Sequence, residues 1–196
     1  MKEDPHDLII QVSAQLFGRF GYKKTTMDDI AQALRMGKSS LYYYFKSKEE
    51  VFQAVVEMEA SQLKAAVLVA INKESDPQEK LRQYVMVRMQ KFKETVNLYE
   101  AVRSDYLMHL PFIEKVRVKY DLEEVSIIQG ILKDGQQKAV FRIDDIQLGA
   151  VAIAIAMKGL EIPLLINDLE NNLQLRLDKL LEILFHGIVK PPKGLE

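Results

Sequence analysis

Apolar side chains recur every three or four positions along almost the whole of this chain, and no stretch alternates apolar with polar residues between turn signals as a strand would. Residues three or four apart share one face of an α-helix. The pattern therefore predicts an all-α fold. Leu8, Val12, Leu16 and Phe20 repeat every four residues with Ile9 and Phe17 beside them, and Gly21 supplies a stop, so an amphipathic helix is expected over about residues 6–20. Thr26 with Asp29 three residues on has the spacing of a capping box, which starts a short helix at Met27 that breaks near Met36-Gly37. A second short helix is expected from Lys38 to about Phe45. Ser47 with Glu50 caps a third and longer one, carrying Val51, Phe52, Val55 and Val56 and running to about Asn72.

Farther along, Asp76-Pro77 sets a cap and a first-turn proline ahead of a helix with Leu81, Tyr84, Val85, Met89 and Phe92. Another helix is expected over Thr95 to Met108, and a long one from Pro111 to about Gly135. A loop, Lys138 to Asp144, leads to the last two, at about 145–166 and 170–188. No repeat or low-complexity segment interrupts the series.

The 196 residues are 48% apolar, enough to bury a sizeable core, and the formal net charge is −1. A chain this close to neutral can bind nucleic acid only through a local basic patch. With no cysteine, disulfides, thiolate metal sites and a cysteine nucleophile are excluded. Near the N-terminus no apolar stretch follows a basic one, so no signal peptide is expected. The apolar run Leu148 to Met157 ends at Lys158, short of the roughly 20 residues that span a bilayer. A buried helix and a cytoplasmic protein without a membrane partner are the expectation.

Two short helices joined by a tight turn behind a longer packing helix make a helix-turn-helix unit, whose second helix fits a major groove. Thr25 to Phe45 has that layout. Leu41 and Phe45, four apart, face inward, which leaves Lys38, Ser39, Ser40, Tyr42 and Tyr43 at the start and on the outer side of the second helix. Between Arg19 and Lys48 stand seven basic residues, Arg35, Lys38, Lys46 and Lys48 among them, against two acidic ones, Asp28 and Asp29, a local charge of +5. Such lysines neutralise phosphates and release counterions. Taken singly, a lysine cluster can be a solvated face and a run of tyrosines half-buried packing. Their order and spacing together favour double-stranded DNA.

The segments Thr25-Thr26-Met27-Asp28-Asp29-Ile30-Ala31 and Lys38-Ser39-Ser40-Leu41-Tyr42-Tyr43-Tyr44-Phe45-Lys46-Ser47-Lys48-Glu49 resemble the N-terminal signature of the tetracycline-repressor (TetR) family of transcriptional regulators, over about residues 8–55. The resemblance implies that Thr26, Tyr42 and Lys48 contact the phosphate backbone, and that Lys38, Ser39, Ser40 and Tyr43 lie in or beside the groove. Arg35 and Lys46 join them as basic contacts. Two positions depart from the family pattern, which usually has Gly where Arg35 stands and Ser or Thr where Gly37 stands. The implied organisation is a DNA-binding domain over residues 1–48 and a helical ligand-binding and dimerisation domain over 49–190.

The second region carries soft and aromatic side chains able to line an adaptable apolar pocket, of which Tyr84, Met89, Phe92, Tyr106, His109 and Tyr120 are the candidates. Side chains of this kind at helical spacing also serve as ordinary core. The three histidines are too scattered for a metal motif, adjacent carboxylates such as Glu123-Glu124 diverge by about 100° on a helix, and no phosphate loop or nucleophile elbow is present. Neither catalysis nor a cofactor nor a metal is expected. In the last two helices Leu173, Leu177, Leu180, Leu181 and Leu184 form a stripe, while Gly149, Ala150, Ala152, Ala154, Ala156 and Gly159 keep the other slim. The resemblance implies that this pair forms the dimer interface, while from the sequence alone the same surfaces equally suit internal core. The expectation is a homodimeric repressor, released from a near-palindromic operator by a small apolar or amphipathic effector. The alternative is a helical small-molecule-binding module without specific DNA recognition.

Overall fold

The structure is a computed structural model that describes residues 4–95, 97, 100, 104, 110–166 and 173–186, without the side chains of 92, 93, 161–166 and 173. Among the described residues there are eight α-helices and no strand: α1 Pro5–Phe20, α2 Met27–Ala33, α3 Lys38–Tyr44, α4 Lys48–Ile71, α5 Pro77–Glu94, α6 Pro111–Gln137, α7 Ile146–Ile166 and α8 Leu173–His186. Most boundaries fall within two residues of those read from the periodicity. The helix expected over Thr95 to Met108 lies largely outside the described residues, as do both ends of the segment expected at 170–188. Among the described residues no helix is long and apolar enough to cross a membrane.

The chain divides into two compact units, Met1–Ala66 with Gln90–Ser126, and Val67–Met89 with Ile127–Glu196. In the first, α1 buries Ile9, Ile10, Ser13 and Phe17, while Leu8 and Phe20 are exposed. The buried stripe is thus turned by one residue from the Leu8, Val12, Leu16, Phe20 row. Its centre is the polar Ser13, whose buried hydroxyl has no hydrogen-bond partner among the described residues, so an apolar tally places the face one residue off. Phe17, Tyr22 and Phe52 form an aromatic cluster with ring centroids 4.7–5.9 Å apart, tying α1 and the segment after it to α4. Ile30, Leu41, Val51 and Val55 complete the apolar centre. Asn97 adds a polar clamp: its Nδ2 donates to the Ala14 carbonyl of α1 at 3.1 Å and to Glu59 Oε1 of α4 at 2.6 Å.

Both starts read from capping spacing are built as hydrogen bonds. Thr26 Oγ1 accepts from the Asp29 N–H while the Asp29 carboxylate accepts from the Thr26 N–H at 2.8 Å. At α4, Ser47 Oγ accepts from the Glu50 N–H, and Glu50 reaches back to the Lys46 N–H at 2.6 Å, one residue before its usual target. The turn between α2 and α3 is a Schellman motif: the Met36 N–H donates to the Ala31 carbonyl and the Arg35 N–H to Gln32. That motif needs a left-handed residue after the cap, and Arg35 occupies it with φ of +51°. A glycine at this place, usual in the family, meets the same demand without a Cβ.

In the second unit the core is drawn from Leu81, Tyr84, Met89, Ile128, Leu132, Leu177 and Leu181. Arg82 of α5 pairs with Asp178 of α8, and Asp134 of α6 takes both Lys80 and Lys138. α6 ends in a second Schellman motif with Ala139 at φ +56°, and Gly135 there faces the Phe141 ring so closely that a Cβ would overlap it.

Two consequences for stability have opposite signs. Phe52→Ala removes the ring common to the aromatic cluster and is expected to cost about 3–5 kcal/mol in urea unfolding, as buried Phe truncations do. Arg35→Gly relieves the left-handed strain, partly offset by a freer unfolded chain, and is expected to stabilise by about 1 kcal/mol, read as an upward shift in Tm.

Candidate nucleic-acid interface

α3 is seven residues long, too short to be helical alone, and is held by burying one side. Leu41 is 0% and Phe45 5% exposed, whereas Tyr42 is 42% and Tyr43 77% exposed, with Lys38, Ser39 and Ser40 also open to solvent. The ring of His6, near the start of α1, stacks on Phe45 with centroids 4.8 Å apart and fixes the end of α3. Gly37 caps α3 in extended conformation without a side-chain bond. What the outer face offers is one ammonium, two serine hydroxyls and two phenols, a set of donors and flat rings rather than an apolar docking surface.

Three lysines around this face are individually tethered. Lys48 of α4 donates to the Tyr22 carbonyl at 3.0 Å and lies 4.3 Å from the centroid of the Tyr22 ring, whose hydroxyl donates to Glu49 at 3.0 Å. The Glu49 carboxyl is held below its usual range first by its own backbone N–H and, against the opposing effect of burial, by Tyr22 and Ser47. Lys46 Nζ donates to the Tyr42 carbonyl at 3.2 Å, so it stands beside the outer side of α3. Lys38 Nζ is 2.6 Å from Asp28 Oδ2 of α2, both side chains well exposed. Arg35 is exposed on the turn.

Thr26 is exposed at the start of α2, its hydroxyl shared with Asp29, and that bond with the one from the Thr26 backbone lowers the Asp29 carboxyl below its ordinary value. A depressed carboxyl contributes stability that is present above its unfolded value and lost as pH falls through the folded one. The α2 start is therefore weakened only in acid.

Thr26, Arg35, Lys38, Ser39, Ser40, Tyr42, Tyr43, Lys46 and Lys48 thus all fall on the α2–α3 segment and the first turn of α4. Two residues that support them were not singled out from sequence. Tyr22 holds Lys48 from 26 positions away, and Asp28 holds Lys38 from ten. The spacing of Asp28 and Lys38 across a tight turn was the available signal for the second; nothing local signals the first.

Of the pocket candidates, Tyr84 and Met89 are buried in the second unit. Tyr120, in the first, donates its hydroxyl to the Glu57 carbonyl at 2.9 Å and lies 3.1 Å from Ser61 Oγ. The side chain of Phe92 and all of Tyr106 and His109 lie outside the described residues.

Comparison with known proteins agrees with this geometry. Residues 9–55 match the family of bacterial regulatory proteins, tetR family. The HTH-type transcriptional regulator YhgD of Bacillus subtilis is 42% identical over 55 residues, which are 28% of this chain and 29% of that protein. IcaR of Staphylococcus epidermidis, an HTH-type negative transcriptional regulator of the biofilm operon icaADBC, is 43% identical over 51 residues, 26% of this chain and 28% of its own length. The match thus spans under a third of either relative. A transcriptional regulator of Cytophaga hutchinsonii is similar in fold, with a TM-score of 0.77, 29% identity, and coverage of 91% of this chain and 95% of that one. Residues 9–55 thus carry the N-terminal domain of the tetR family of bacterial regulatory proteins, and the all-helical architecture is similar over nearly its full length to that of a bacterial transcriptional regulator.

Proposed function

We propose that the chain is a ligand-responsive DNA-binding transcriptional regulator, a repressor that acts as a homodimer on a near-palindromic operator in the cytoplasm. The observation that carries this reading is the split of α3: Leu41 and Phe45 anchor it, and its remaining side chains project as donors and rings amid a basic surface. Thr26, Arg35, Tyr42, Lys46 and Lys48 serve as phosphate contacts, while Lys38, Ser39, Ser40 and Tyr43 enter the groove. The kinship with IcaR, a negative regulator, supports repression as the sign. Nothing in this reading calls for a catalytic step, a cofactor or a metal.

Dimerisation is proposed through α7 and α8. Leu148, Ala152, Ile155 and Gly159 form an exposed stripe on α7, and Leu175, Ile183 and Leu184 are exposed on α8. Among the described residues a Cβ at Gly159 would meet nothing within 4 Å, which leaves room there for a second copy of the helix pair. A two-fold pair would set two α3 helices about 34–36 Å apart, one turn of DNA. The effector is proposed to be a small apolar or amphipathic molecule bound by residues 49–190, with Tyr84, Met89, Phe92, Tyr106, His109 and Tyr120 as candidate contacts. It acts through α4 and must favour the conformation that does not fit DNA.

The test is fluorescence anisotropy over a salt series with the DNA flanking the protein's own gene, beside Lys38→Ala and Tyr42→Ala. Tight binding that survives competitor DNA and drops about tenfold or more in each variant is expected, the loss of a good contact being worth about 1–3 kcal/mol. Binding that is weak and indifferent to both changes would instead favour a small-molecule-binding module. For the interface, Ile155→Arg is expected to convert a dimer to a monomer in analytical ultracentrifugation while leaving the helical circular dichroism intact.

A further inference from the structure

We propose that Asp28 is a specificity-determining residue of the DNA-reading surface: it holds the Lys38 ammonium so that the pair favours base edges and disfavours phosphates. The inference rests on the DNA-binding reading above and deepens it. Between Arg19 and Lys48 the acidic residues are Asp28 and Asp29. The Asp29 carboxylate is committed to the capping box, bonded to the Thr26 N–H and hydroxyl. Asp28 makes no such bond to the helix start; its Oδ2 instead takes Lys38 Nζ at 2.6 Å, from the first turn of α2 to the first residue of α3.

Both members of the pair are largely exposed, 60% for Asp28 and 65% for Lys38, so it is a weak surface contact that another partner can share or open. What it shares with matters. A phosphate is anionic and offers acceptors only, so bringing it to Lys38 sets a second negative charge across the ammonium from Asp28. A base pair in the major groove is neutral and presents an acceptor next to an amino donor, guanine O6 beside cytosine N4 or adenine N7 beside N6. The ammonium can donate to the first while the carboxylate accepts from the second. Asp28 thereby costs little at a matched base edge and opposes the sequence-independent binding that Lys38 would otherwise strengthen.

The experiment compares the full-length protein with Asp28→Asn, Lys38→Ala and the double variant, on the operator fragment and on a random duplex of equal length, across a salt series. Asp28→Asn is expected to bind the random duplex about threefold to tenfold more tightly, with its log–log salt slope steeper by about 0.9, one added phosphate contact. Operator affinity is expected to gain less, so the ratio of the two falls, and Asp28→Glu is expected to keep the ratio of the unmodified protein. In the Lys38→Ala background the Asp28→Asn change is expected to alter neither affinity by more than about twofold. An equal gain on both duplexes, or a gain that persists without Lys38, would overturn the proposal and leave a general charge effect. An unmodified protein that shows no preference between the duplexes at any salt would instead overturn the DNA-reading function, and this inference with it.

Discussion

The tight turn between α2 and α3 is the constraint on which the exposed face of α3 depends. Seven residues of helix on either side cannot form alone, since a nucleus fixes several residues for one hydrogen bond. They are made stable together by crossed bonds from Met36 and Arg35 to the end of α2, by the Thr26–Asp29 box at its start, and by burial of Ile30, Ala31, Leu41 and Phe45. The crossed bonds require a left-handed backbone at Arg35, and the chain tolerates that with a long side chain where glycine would be free of strain. Arg35 is exposed there, so its charge adds to the basic surface around α3. Once the turn is closed, Leu41 and Phe45 have one way to face, and residues 38–40, 42 and 43 are left to the solvent.

Around that surface the electrostatics are arranged by tethers. A free lysine side chain loses about 1.5–2 kcal/mol of rotamer freedom when it is immobilised. Lys48 on the Tyr22 carbonyl and ring, Lys46 on the Tyr42 carbonyl and Lys38 on Asp28 have surrendered part of that freedom within the folded chain. Each retains protons for a further acceptor, because an ammonium has three. The same surface therefore combines a local charge of +5 with restrained positions, within a chain whose net charge is −1. Attraction is confined to one end of the sequence, and the rest of the molecule does not add a diffuse basic field.

Helix positions were largely legible from the period of the apolar residues and from capping pairs three apart, because both signals are local. Thr26 with Asp29 and Ser47 with Glu50 became hydrogen bonds at the predicted starts. The face that α1 buries was not legible, since Ser13 sits at its centre and a polar residue subtracts from the pattern that it occupies. The outer side of α3 followed from the inward pair Leu41 and Phe45, four apart on a short helix. Its supports did not, because Tyr22 with Lys48 and Asp28 with Lys38 meet through tertiary structure. The Gly37 and Arg35 departures were visible only against the family pattern, and the left-handed φ at Arg35 gives the physical reason that the pattern has glycine there. Tyr120 likewise donates its hydroxyl to the Glu57 carbonyl of α4, a contact across 63 positions that no local spacing signals.

The proposed mode of release is governed by the arithmetic of two reading heads. A dimer engaged at both half-sites gains from effective concentration, and losing simultaneous engagement can cost a factor of about 10²–10⁴ in avidity without altering any single contact. Shifting a two-state protein from about 1:99 to 99:1 needs an effector that prefers one state by roughly 10⁴. The two factors are of similar size, so an effector need not disrupt the α2–α3 turn or strip Lys38, Tyr42 or Lys48 of their partners. It has only to alter the separation of two otherwise intact heads. An α2–α3 segment with closed caps, a Schellman turn and tethered lysines suits that proposed division: its contacts stay unchanged, and regulation falls to the geometry in which they are presented.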